Sequence, residues 1–458
     1  MDPPTDAGDG LPPGARRRAM ATLAIAVSMA VLDSAIANIA LPTVARDMAT
    51  TPAATIWVVN AYQFAVTVSL LPFAFLGDIV GYKRVYMAGL VVFTVASLGC
   101  ALAPTLPLLV LARVVQGFGG AGIMSVNTAL IRFIFPRAEL GRGLGFNAFV
   151  VASFSALGPS IAAAILAVAS WHWLFAVNVP LGVVALWLAG RVLPITPRAG
   201  YRFDVLSALL NAVTFGLIIT LVDGLGRASA ATEAVELVAA LLVGNVFILR
   251  QLHLPVPLLP VDLFRRPIFA LSVATSVCSY IAQTSAYIAL PFYFQFVGGL
   301  SQIDTGLMMT PWPAMVVIVA PIAGRLSDRY PAGLLGTLGL LAMTAGLLSL
   351  LFMPAAPTYP EVAWRMLLSG LGFGFFQSPN NRLLVGSAPP ERSGAGSGML
   401  ATARLTGQTI GSALVALSFG LTGARGGIEV AHGTTLALSI GASFAATATV
   451  VSALRLRV

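Results

Sequence analysis

Fourteen apolar runs follow one another along this chain, most near the ~20 residues a helix needs to cross a bilayer. They span 19–43, 55–77, 85–103, 107–130, 143–168, 173–193, 205–222, 236–251, 268–296, 304–323, 333–353, 362–385, 396–421 and 434–454. In hydrocarbon every backbone N–H and C=O must be satisfied internally, so only helices and closed barrels span membranes. A barrel requires alternating polar and apolar residues, and these runs do not alternate. Only 9% of the 458 residues are charged, against about a quarter in soluble domains. The fold class is therefore an all-α polytopic membrane protein.

The distribution of basic residues sets the orientation. Of 26 Lys and Arg, 20 fall on the side of the N-terminus, four on the other and two within runs. The positive-inside rule then places both termini in the cytoplasm and favours an even number of spans. The same rule accounts for the net charge of +9 without a nucleic-acid partner. Lys83 is the single lysine, and the Arg, Ala and Gly load points to a GC-rich bacterial genome; the expected location is the bacterial inner membrane. Residues 1–18 read as a cytoplasmic tail ending in Arg16, Arg17 and Arg18. The run that follows is too long for a signal-peptide core.

The chain repeats itself. Gly117, Gly119, Ser125 and Asn127 recur 253 residues later as Gly370, Gly372, Ser378 and Asn380, and Asp78 recurs as Asp328. The first six spans (19–193) thus reappear as a second bundle (268–454), with 205–251 as an inserted helix pair. Parallel halves related by an axis along the membrane normal form a transporter architecture with the substrate site at their interface.

Asp33, in LDSAIANIALP, is the single acid well inside a span. A carboxylate at membrane depth marks a functional site by default. It lies about 15 Å from the outer end of its span, and Arg113 lies about 9 Å from the outer end of the fourth. Opposite charges at matching depth predict a pair, with Gln116 one turn below; snorkelling is the alternative for Arg113. Gly117, Gly119 and Gly122 form a GxGxxG string. No strand precedes it and it sits in a span, so close helix packing replaces a dinucleotide reading.

Four further features complete the reading. LGDIVGYKR, after span two, combines Asp78, Gly81, Lys83 and Arg84 in a charge-assisted network at the cytoplasmic helix ends. Asp328 repeats the acid, which favours a structural or gating latch over a plainly solvated loop. Gly158-Pro159 predicts a kink in span five. Trp171, His172 and Trp173 read as an interfacial aromatic belt, and Asn178 as bonding to nearby backbone. Arg404 and Gln408 stand one turn apart on one face of span thirteen.

Cys100 and Cys278 read as small core residues. His172, His253 and His432 are scattered and form no metal cluster. No phosphate-binding loop and no nucleophile–base pair is readable. The expectation is a non-enzymatic protein without a cofactor, driven by an ion gradient.

These strings converge. LDSAIANIALP, LGDIVGYKR, LARVVQGFGGAG, LGPSIAAAI, WHWLFAVNVPLG and ARLTGQTIG resemble the major facilitator superfamily, in particular its fourteen-helix drug:proton antiporter branch. The resemblance covers nearly the whole chain. Ala74 departs from it where a glycine is expected, as do Ala162 and Ala163 in place of a double glycine. It implies two six-helix bundles plus two linker helices in a monomer that exchanges protons for lipophilic, often cationic compounds. Asp33 and Arg113 would couple protons. Asp33, Asn38, Gln116, Arg404 and Gln408 would line the substrate cavity. The lack of further intramembrane acids argues against wide dication specificity. The alternatives are a proton-coupled transporter of one dedicated metabolite, or a non-transporting receptor on the same scaffold.

Overall fold

The structure is a computed structural model. It describes residues 10–136, 139–198, 200, 203–224, 230–254, 257–259, 261–327, 329–354, 357–387, 393–423 and 427–457. Every regular element among them is helical. In the first half these are α1 (Pro13–Asp47), α2 (Pro52–Val80), α3 (Tyr82–Ala101), α4 (Leu106–Ile134), α5 (Leu140–Val168) and α6 (His172–Val192). α7 (Val205–Gly224) and α8 (Ala230–His253) follow. The second half holds α9 (Pro267–Val297), α10 (Gln302–Leu326), α11 (Ala332–Leu351), α12 (Tyr359–Gly386), α13 (Ser393–Leu421) and α14 (Gly427–Leu454).

Ten helices among the described residues are long and apolar enough to cross a bilayer. Counting α5 makes eleven; its parts Phe149–Ser155 and Leu157–Val168 bend by 44° just before Gly158-Pro159. The fourteen runs in the sequence exceed this number for physical reasons. The apolar part of α7, Val205–Ile218, is short. α12 and α13 are long but carry polar residues such as Gln377, Asn380, Arg404 and Gln408. The expected tail 1–18 is also shorter than expected. Pro13 opens α1, a favourable first position for proline, and Arg16 to Arg18 already lie on the helix. Arg16 Nη1 donates to Glu139 Oε2 at 2.8 Å.

The halves pack by the same scheme. α1 lies on α5 and α6, and α4 on α2 and α3; α9 lies on α13 and α14, and α12 on α10 and α11. Between the halves α2 meets α13, α5 meets α10, and α1 meets α9. α7 packs on α8 and also touches α2 and α13. Asp204, just ahead of α7, ties this pair together by accepting from Arg250 at 3.0 and 3.1 Å. Burial opposes its ionisation, but hydrogen bonds from Ser207 and Arg250 hold its carboxyl below the usual range.

Lipid gives helices no hydrophobic reason to associate, so close approach of small residues carries the packing. A Cβ at Gly119 would stand 2.6 Å from the Cα of Phe93 on α3, and one at Gly372 2.7 Å from the Cα of Met343 on α11. The repeated glycines are thus where two backbones touch. Gly306 lets α10 approach Ala163 of α5, where an added Cβ would stand 2.5 Å from the Ala163 Cβ. The room that a glycine at 163 would have provided is supplied by the facing helix.

Near the end where α1 begins and α14 ends, Arg455 is buried among Asn380, Ser272 and Ser452. Burial pushes its guanidinium down to about 10, so it stays charged at neutral pH.

Gly119→Ala and Gly372→Ala are each expected to lower stability by about 1–3 kcal/mol through overpacking against backbone. Thermal melts of detergent-purified protein check this. Gly99→Ala, whose Cβ would meet the Ala112 Cβ at 3.6 Å, should melt with the parent; equal loss there would refute the packing account.

Candidate functional site

Asp33 lies near the middle of α1, and both it and Arg113 have side chains with 0% exposure. Arg113 Nη1 donates to Asp33 Oδ2 in a short ion pair. The same nitrogen donates to Gln116 Oε1 at 2.7 Å, and Nε donates to the Val58 carbonyl at 2.8 Å. Arg113 and Gln116 share one face of α4 by their three-residue spacing. Asp33 Oδ1 accepts from Gln116 Nε2 at 2.8 Å and from Asn178 Nδ2 at 3.0 Å. Gln116 Nε2 also donates to Ser97 Oγ at 2.9 Å. The Arg113 guanidinium stands over the rings of Tyr62 (4.3 Å) and Phe175 (5.5 Å).

Five helices converge on one carboxylate: α1, α2, α3, α4 and α6. The sixth, α5, comes close through Gly158, where an added Cβ would run into Ala35 of α1. The expected pairing of Asp33 with Arg113 is what the geometry contains. Asn178 was read as a backbone partner, but its amide completes the shell of Asp33. The sequence signal was its position in WHWLFAVNVPLG, without a distance to α1. Trp171 was read as interfacial; it is 1% exposed and stacked on His172. Trp173, at 60% exposed, fits the belt. Among the described residues the second half has no counterpart of the ion pair. IALP at 39–42 recurs at 288–291, placing Ala282 where α1 has Asp33. The 253-residue offset puts Met366 where α4 has Arg113.

The residues expected on one cavity wall divide into two places. Asp33 and Gln116 are sealed within the first half. Asn38, Arg404 and Gln408 are partly exposed. Arg404 belongs to α13 beside Leu405, which packs in the cluster of Tyr62 and Val66. One turn on, Gly407 abuts Tyr280 of α9. With Leu405 packed beside Tyr62 of α2 and Gly407 against Tyr280 of α9, Arg404 stands where the halves meet. Tyr280 Oη accepts from Gln377 Nε2 at 2.9 Å. Asn38 Oδ1, both amide atoms of Asn60, Tyr62 Oη, Trp312 Nε1 and Arg404 Nε are buried with no partner among the described residues.

Beyond Arg404, toward the α1–α2 junction, the halves are stitched together. Thr67 meets Thr409 at 3.2 Å, and Ser412 Oγ donates to Gln63 Oε1 at 3.3 Å. Ser160 meets Thr310 at 2.9 Å, and Gln302 Nε2 donates to Thr43 Oγ1 at 2.8 Å. Arg46 donates to Gln295 at 2.5 Å. These hydrogen bonds close the seam on the side away from the N-terminus.

The loop motif also divides. Asp78 accepts a short bond from the Tyr82 hydroxyl. Gly81 turns between α2 and α3 at φ +97°, a conformation suited to glycine. Lys83 Nζ donates to the carbonyls of Gly190 (3.0 Å) and Leu193 (2.8 Å) at the end of α6, where a cation is favoured. Arg84 is exposed. Asp328 lies outside the described residues.

Two halves of repeated helical packing, a buried ion pair in one and a polar seam between them define a polytopic secondary transporter. The sequence matches the family model for the Major Facilitator Superfamily over residues 23–412, and the chain belongs to that superfamily. It is 56% identical over 451 residues to an uncharacterized transporter, YebQ, of Escherichia coli (strain K12), covering 98% of this chain and 97% of that protein. It is 32% identical to the riboflavin transporter RibZ of Clostridioides difficile (strain 630), covering 87% of each. It is 31% identical to the multidrug efflux pump LfrA of Mycolicibacterium smegmatis, covering 88% of this chain and 80% of that protein. A solved bacterial homologue of the human lysosomal transporter Spinster, inward-facing and unoccupied, superposes with a TM-score of 0.72 at 13% identity over 98% of both chains.

Breaking a buried ion pair from one side leaves an uncompensated charge, a loss of about 3–5 kcal/mol. Arg113→Ala should therefore destabilise the protein by that order in denaturant titrations. Adding Asp33→Asn should restore much of the loss. Strictly additive effects of the two substitutions would show that the residues do not interact.

Proposed function

We propose that this chain is a proton-coupled antiporter exporting lipophilic compounds from the cytoplasm across a bacterial inner membrane. The observation that carries this reading is Asp33, the one acid among the described residues that is buried. Its carboxylate is held by Arg113, Gln116 and Asn178. A proton on Asp33 neutralises the acid and ends the ion pair, leaving Arg113 with Val58 and Gln116. The contact that holds α1 to α4 and α6 then weakens. A titratable group that locks helices when ionised and frees them when protonated is sufficient to link protons to helix movement. The seam closed by Thr67–Thr409 and Arg46–Gln295 then corresponds to a state open toward the cytoplasm.

The same reading takes fourteen spans, adding α5, α7, α12 and α13 to the ten clear ones, with both termini cytoplasmic and a monomer as the working unit. Residues 19–193 and 268–454 form the moving bundles, and 205–251 the inserted pair. LfrA is named as a multidrug efflux pump, which supports export. RibZ is named for one vitamin, which supports the second reading: a proton-coupled transporter of a single metabolite.

Asp33→Asn is isosteric and cannot titrate. It should cut proton-driven efflux of dyes and antiseptics from cells to the level seen with an uncoupler, while the purified variant melts as a folded protein. Efflux at the parent rate would remove Asp33 from the mechanism. Asp78→Asn, at the cytoplasmic helix end, should slow transport several-fold and leave the substrate profile unchanged. A changed profile at an unchanged rate would place Asp78 in the binding site instead.

A further inference from the structure

The Asp33 carboxylate has no face open to a ligand. Asp33 is enclosed, and its two oxygens are occupied by Arg113, Gln116 and Asn178. A cavity of about 300 Å³ at the α5–α10 seam, lined by Arg46, Leu166 and Gln302 among others, does not reach it. What stands in the seam between the halves is Arg404. Its position is about 16 Å along α13 from Ser393, near the middle of a 29-residue helix. Among the described residues no carboxylate lies within ion-pair distance of it, and its Nε is buried without a partner.

The groups around Arg404 are also short of acceptors. Tyr62 Oη is buried, with only a loose contact to the Ser34 hydroxyl. Tyr280 Oη already accepts from Gln377, so its own proton is free to be donated. Two buried tyrosine hydroxyls and one cation without a described carboxylate partner therefore stand where the halves meet, and Phe373 packs against Tyr280. A buried polar group without a partner is costly. The ligand that relieves this arrangement brings acceptors and negative charge on an apolar body.

We propose that the substrates are amphipathic aromatic anions, with a carboxylate or similarly acidic oxygen held by Arg404 and flanked by the hydroxyls of Tyr62 and Tyr280. This rests on the transporter reading above and narrows its substrate class from the cationic expectation. It also separates substrate from proton. The two occupy different groups, and coupling runs through movement of α2, whose Tyr62 lies under Arg113 and beside Arg404, instead of competition for one carboxylate.

The test uses purified full-length protein and three probes on one ring system: 2-naphthoate, 2-naphthamide and a 2-naphthylmethyl trimethylammonium cation. Equilibrium dialysis in detergent should show naphthoate binding about tenfold or more tighter than the cation, the scale of one charge-assisted hydrogen bond. Arg404→Gln should remove that preference while leaving naphthamide binding nearly unchanged. Arg404→Lys, which keeps the charge, should retain part of it. Tyr62→Phe and Tyr280→Phe should each weaken naphthoate several-fold. Preference for the cation, a preference that survives Arg404→Gln, or no binding of any probe each overturns the proposal. Uptake of radiolabelled naphthoate into proteoliposomes separates the two readings. Binding without uptake would sink the transporter assignment and leave the anion site standing.

Discussion

An aspartate and an arginine each cost several kcal/mol to bury alone, and mutual attraction offsets this only with good geometry and with the remaining polar atoms satisfied. That requirement organises the first half of the molecule. Asp33 from α1 and Arg113 from α4 must meet, so those helices are fixed at one depth. The free lone pair of Asp33 draws in Gln116 and Asn178, which fixes α6. Arg113 Nε takes the Val58 carbonyl, which fixes α2, while its Nη2 is buried without a hydrogen-bond partner among the described residues. The second half has the same helix packing but Ala282 and Met366 at the corresponding positions. Glycine contacts and neutral hydrogen bonds such as Gln377–Tyr280 hold it there. Among the described residues one half carries a buried acid and the other does not.

The seam between the halves follows different physics. Its contacts are small and polar: threonine on threonine, serine on glutamine, glycine against alanine. Each is weak enough to break in turn, as a rocking movement of two bundles requires. The stronger contacts lie within the halves, where backbones touch at Gly119 and Gly372. Between these two regimes stands Arg404, with donors around it and no described acid to answer it.

The architecture was readable because the bilayer leaves few solutions. Apolar runs of the right length are helices in lipid, and the offsets of about 250 residues expose the repeat. The pairing of Asp33 with Arg113 was also readable, since two rare charges at similar depth have little else to bind. Gly158 and Gly81 fell where expected, one against Ala35 and the other in a positive-φ turn.

Other features needed the third dimension. Sequence places residues by depth along a helix but not by rotation between helices. Asp33 and Arg404 therefore looked like members of one cavity wall, while packing turns Asp33 inward and leaves Arg404 at the interface. Trp171 and Trp173 are two residues apart, yet one is core and the other surface. Asn178 reached Asp33 only because α6 lies on α1. The sequence by itself determined the helices, the repeat and the charged pair, because hydrocarbon penalises every other outcome. Which polar groups share an enclosure, and which are left facing a ligand, was decided by helix rotation and by contacts between residues far apart in the chain.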